Sequence, residues 1–188
     1  MTEANSGISV SCTSDGVYVR VVGRGTFQNG PPLRRFALEM IKRGYQQFII
    51  DLGQCRGMDS TFLGLLAGIG LCLHQNGRNG KVRIIEIGDR NMELLQTLGL
   101  DRLFDMNPGD DRRAEQPVPP EAEFHSLPEA GTVDLPRELE KYEAAGLMLE
   151  AHDNLIQVDQ RNADQFQDLI RCLREKIESR DAVGKKDS

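Results

Sequence analysis

The chain has 188 residues, 28% of them charged and 39% hydrophobic, with no tryptophan and a formal net charge of −6. That length supports one domain with a proper core plus an extension, or two small domains. The composition is that of a globular protein and excludes a disordered chain. The acidic balance argues against an electrostatic nucleic-acid footprint, because the basic pairs Arg34-Arg35 and Arg112-Arg113 have acidic neighbours.

Residues 8–12 and 16–23 read as two strands joined by Ser14-Asp15-Gly16, a hairpin turn signal. Val17, Val19 and Val21 alternate with Tyr18, Arg20 and Val22, the period of a half-buried strand. A glycine-rich loop, Gly23–Gly30, leads to Pro31-Pro32, residues suited to a helix start. Leu33, Phe36, Ala37, Met40 and Ile41 continue at helical spacing, and Gly44 closes the helix. Phe48–Leu52 is a short apolar run suited to a buried central strand. A loop, Gly53–Met58, precedes a helix from Ser60 to about Asn76 that is apolar nearly all round, which implies deep packing. Gly64 and Gly68 lie one turn apart on it and let another backbone approach closely. After a turn at Asn76–Gly80 come a strand at 82–87, a helix from Asn91 to Leu98 capped by Gly99, and a short final strand within Leu100–Met106.

The order β-β-α-β-α-β-α-β predicts an α/β fold: a single sheet of four to five strands with helices mainly on one side. Composition shifts at Asn107. Six of the eight prolines fall in 107–136, which reads as a linker, with Phe124 and Leu127 as anchors onto a neighbouring surface. The expected organisation is therefore a domain over 1–106, a proline-rich linker over 107–136 and a helical extension with a disordered end over 137–188. In the extension, Leu139, Tyr142, Ala145, Leu149, Ile156, Ala163, Phe166, Ile170, Leu173 and Ile177 form an apolar stripe that His152 and Asp159 interrupt. The stripe fits one long helix or a helical hairpin turning near Val158–Asn162. It must bury against the first domain, itself or a second copy, so a homodimer through this extension is one expectation.

Cys12, Cys55, Cys72 and Cys172 show no C-x-x-C spacing, and His74, His125 and His152 show no metal spacing. Neither metal nor cofactor is indicated, and Cys55 is expected in an exposed loop. Reduced thiols, a polar Met1–Gly7 start and no apolar run of ~18 residues predict a cytoplasmic protein without a membrane span.

Asp59-Ser60-Thr61-Phe62-Leu63-Gly64 sits at the junction from strand and loop to helix. A hydroxyl there serves as a plain cap or accepts a phosphate, because a helix N-terminus favours anions. This motif, the strand ending Asp51-Leu52 and the element order over about residues 8–106 resemble the STAS domain. More narrowly they resemble the bacterial anti-sigma factor antagonists, whose local pattern is Asp-Ser-[Ser/Thr]-Gly-Leu-Gly. Phe62 departs from that pattern, standing where the family usually has glycine.

The resemblance implies a non-enzymatic regulatory binding protein in a partner-switching pathway. Its partner would be an anti-sigma factor that is also a serine kinase, and Ser60 matches the serine that such a kinase phosphorylates. Thr61 is a secondary acceptor, and Asp59, Phe62, Arg24 and Arg56 are candidate partner-binding residues. Two alternatives stand beside this reading. One is a constitutive scaffold or transporter-regulatory STAS module that binds an ATPase without phosphorylation. The other is a small-molecule or lipid-binding protein using a cleft near Arg24 and Ser60.

Overall fold

Strands β1 (Gly7–Cys12) and β2 (Val17–Gly25) form the antiparallel hairpin, with Ile8 opposite Val21 and Val10 opposite Val19. The computed structural model describes residues 7–75, 80–106, 123–128 and 137–184. After β2 comes helix α1 (Gly30–Lys42), with its two prolines in the first turn. It ends in a Schellman pattern: Gly44 N–H donates to Ile41 O and Tyr45 N–H to Met40 O, with Gly44 at φ 98°. Strand β3 (Gln47–Asp51) then runs parallel to β2.

The segment expected to be a loop before the motif contains a strand, β4 (Cys55–Met58), which pairs parallel with the far end of β2 across a register shift at Gly23/Arg24. Its four residues carry no alternation, so periodicity did not reveal it. Cys55 is consequently buried, not exposed, and its thiol donates to Gly57 O. Helix α2 (Ser60–Gln75), strand β5 (Lys81–Ile85) and helix α3 (Asp89–Thr97) follow.

Gly99, at φ 73°, then turns the chain into a single 3-10 turn, Leu100–Arg102, where a strand was expected. Only Asp105 joins the sheet, donating to Val82 O and accepting from Ile84 N. Within the proline-rich stretch a short strand, β6 (His125–Ser126), pairs antiparallel with β1. Phe124 there lies 4.3 Å beneath the Arg20 guanidinium, and Leu127 N–H donates to Ile8 O, so both expected anchors are used. The sheet order is β5-β3-β2-β1-β6, with β4 beside β2. The rest of the stretch, the expected turn at 76–79 and the chain ends at 1–6 and 185–188 lie outside the described residues.

The extension is a hairpin of α4 (Arg137–Val158) and α5 (Asn162–Gly184). It folds onto its own chain: α4 packs along α2, and α5 packs on α4. This explains why α2 is apolar all round. It also packs against α1 and β5, so it is enclosed by the α/β core and by α4, and Phe62, Leu63, Leu66 and Leu73 are each at most 1% exposed. Fully burying each such side chain contributes about 1.5–3 kcal/mol.

The hairpin turn is pinned to the core. Asn162 Nδ2–H donates to Leu98 O and Leu155 O, and the buried Asp159 carboxylate pairs with Arg161 and Arg102. The Arg161 hydrogen bonds hold the Asp159 carboxyl down at about 2. A carboxyl depressed in the fold stabilises fully above its unfolded value near ~3.9, and this contribution fades as pH falls through the folded value. Urea midpoints of wild type and Asp159→Asn should therefore differ at neutral pH and converge between about pH 4 and pH 2. A gap that stays constant over that window would contradict the pairing.

Candidate functional site

The start of α2 divides its polar work between two neighbours. Asp59 is the cap: its Oδ1 accepts from Phe62 N at 2.8 Å, the third helical N–H. Its Oδ2 accepts from Phe27 N at 2.9 Å, and its own N–H donates to Gly25 O at 3.0 Å. Asp59 thus ties the helix start to the β2–α1 loop, with its charge placed where the helix dipole favours it. Both carboxylate oxygens are committed to the chain's own backbone. Asp59 therefore has an architectural role in the folded chain.

Ser60 is the first helical residue, and capping does not use its hydroxyl. The Ser60 Oγ lies 3.0 Å from Nε2 of His152 on α4, and His152 Nδ1 lies 2.7 Å from Met148 O. A carbonyl can only accept, so Nδ1 carries the hydrogen. In the neutral ring Nε2 is then the acceptor, and the Ser60 hydroxyl donates to it. His152 is 1% exposed and meets the Phe166 ring of α5 edge-on at 4.8 Å.

This contact is possible because Gly64 lacks a side chain: a Cβ there would overlap the Ala151 carbonyl. One turn further, Asn154 Nδ2–H donates to Gly64 O at 3.1 Å and lies over Gly68. Arg34 on α1 pairs with Glu150 at 2.9 Å. The close approach expected at Gly64 and Gly68 is made by the chain's own α4.

The remaining expected residues separate into interior and surface. Phe62 is 0% exposed, so a partner-binding role is corrected to a core one. Its ring fills the space above Gly25 and Gly30, where a Cβ at Gly25 would come within 2.5 Å of the ring. Thr61 is buried at 6% exposure, which leaves Ser60 as the more accessible of the two hydroxyls. Arg24 and Arg56 are exposed and share the wall of an open cleft of about 750 Å³ with Gly23, Gln54 and Cys55. Arg24 also borders a cleft of about 300 Å³ with Met58, Arg90, Asn91 and Glu93. Ser60 and His152 line neither cleft.

His152 is the site residue that the motif did not reveal. Its one trace in the sequence was a polar break in the apolar stripe of the extension. A hydroxyl hydrogen-bonded to neutral imidazole resembles an activated nucleophile. Here the ring is sealed inside a helix-helix contact, and neither cleft reaches the pair. Among the described residues no group of three His, Cys, Asp or Glu could hold a metal ion, and no helix is long and apolar enough to cross a membrane.

A family model for the STAS domain matches residues 7–112, and the chain belongs to that family. The solved structure of the anti-sigma factor antagonist SpoIIAA in its unphosphorylated form is similar to it at 18% identity. That match covers 45% of this chain and 76% of the other, with a TM-score of 0.40. No curated protein matches the chain. Helices α4 and α5 lie beyond the matched residues.

These roles predict a ranking of stability losses in urea unfolding. Phe62→Ala should cost about 3–5 kcal/mol, as a large core truncation does. Asp59→Ala should cost about 0.5–2 kcal/mol for the lost cap. Ser60→Ala, which leaves the buried His152 acceptor unsatisfied, should cost about 1–3 kcal/mol. A near-neutral Phe62→Ala would contradict the core assignment.

Proposed function

We propose that this STAS protein is a regulatory binding protein of the anti-sigma factor antagonist type, with its binding state set by phosphorylation of Ser60. The observation that carries the reading is that helix capping leaves the Ser60 hydroxyl unused. It stands at the first position of α2 in the Asp-Ser-Thr motif, while Asp59 alone performs the capping. Phosphate there would add about −1.5 to −2 charges at a helix N-terminus, where the dipole tolerates an anion. The same charge on a docking face opposes an acidic partner surface by several kcal/mol, about 10²-fold or more in affinity. The partner class is a serine kinase that is itself the anti-sigma factor, and the exposed Arg24 and Arg56 belong to the surface such a partner meets. The chain acts by binding rather than by catalysis.

A second reading, the constitutive STAS scaffold, is favoured by one observation: the Ser60 hydroxyl is already engaged by His152. Phosphate transfer separates the two. Incubated with ATP and the serine kinases of its source organism, the wild-type chain should gain the mass of one phosphate. Ser60→Ala should abolish the gain and Thr61→Ala should retain it. No gain with any of those kinases, or a gain that survives Ser60→Ala, would sink the antagonist reading.

A further inference from the structure

We propose that the α4–α5 hairpin is a displaceable cap that occupies, in cis, the helix-docking face of α2 and thereby gates access to Ser60. The face is shaped for a helix: Gly64 and Gly68 leave a shallow groove, and the backbone of α4 at Ala151 lies in it. Ser60 is half-buried in this state, with the sealed His152 ring 3.0 Å from its oxygen. A phosphoryl group cannot be added to that oxygen, nor can a kinase cleft close around it, until the ring and its helix move away.

Two observations mark the hairpin as a separable unit. It lies outside the residues that match the family, which end at 112. It is tied to itself: Tyr142 O–H donates to Lys176 O at 2.9 Å, and Arg174 pairs with Asp153 at 3.4 Å. Its attachment to the core combines buried apolar residues, among them Ala151, Leu155, Phe166 and Ile170, with polar ties: Glu150 on Arg34, His152 on Ser60, Asn154 on Gly64 and Asn162 on Leu98.

The polar groups fix the register of the hairpin on α2, and opening it uncovers the apolar residues between them, which a competing partner helix would cover again. The covalent connection through 107–136 keeps the released hairpin at an effective concentration of about millimolar. Re-docking is then intramolecular, and the closed state dominates until a partner competes for α2. The cap also makes the α2 face selective, because a competitor must present a helix with a small residue where Ala151 now sits.

Amide hydrogen exchange on the full-length chain tests this without any kinase. The gating consequence rests on Ser60 being the acceptor, but the exchange experiment reads the cap itself, so either idea can fail while the other stands. Amides of 145–173 should exchange at least about tenfold faster than those of β2 and β3, through an opening with a weaker denaturant dependence. Ala151→Leu, which overpacks the groove at Gly64, should raise hairpin exchange at least about tenfold further and leave β2 and β3 protected. His152→Ala, which removes the latch without adding bulk, should move exchange in the same direction. If hairpin and strands exchange with one rate and one denaturant dependence, the hairpin is an inseparable part of the core and the proposal is wrong. It is equally wrong if Ala151→Leu releases both together, or if neither variant changes hairpin exchange.

Discussion

The close passage of α4 over the glycine face of α2 is the contact on which the rest of this structure depends. Without a Cβ at Gly64 the two backbones can meet, and only at that separation does His152 reach Ser60 and Asn154 reach the Gly64 carbonyl. The same passage explains the composition of α2. A helix packed on one side only would show an apolar stripe and a polar back. This one lies between the core and α4 and is apolar nearly all round.

At the start of that helix, adjacent residues with similar chemistry have opposite tasks. Asp59 spends both oxygens on backbone N–H groups and so holds the helix to the β2–α1 loop. Ser60, one residue on, points its hydroxyl at a group from another part of the chain. Chemistry at Ser60 can therefore change without unravelling the cap, which is what a switch at a helix terminus requires. Phe62, the departure from the antagonist pattern, is not part of the surface. It turns inward, and glycines at positions 25 and 30 make room for it.

How much of this was legible in the sequence follows from the range of each interaction. The alternating valines of β2, the continuous run of β3 and the 3.6-residue spacing of α1 and α2 are local patterns, and the structure follows them. Strand β4 was not legible, because a four-residue segment with a central glycine has no period, and its pairing with β2 is broken by a register shift that leaves Arg56 unpaired. The segment after Gly99 has the apolar content of a strand in Leu100, Leu103 and Phe104, yet it opens with a 3-10 turn. Only Asp105 pairs, and the apolar residues serve the core instead. The motif placed Ser60 at a helix start, but it could not say which way Phe62 faces. His152 lies 92 positions away, and no local rule brings it to Ser60. The polar break that it makes in the stripe signalled a buried partner without naming one.

The central claim is that Ser60 and His152 hold each other in the folded chain, and a double-mutant cycle on unfolding free energy tests it most directly. Ser60→Ala, His152→Ala and the double variant should show a coupling of about 0.5–1.5 kcal/mol, the worth of one buried hydrogen bond. A coupling within about 0.3 kcal/mol of zero would mean that the two side chains do not meet in solution, and the account of a covered switch residue would have to be abandoned.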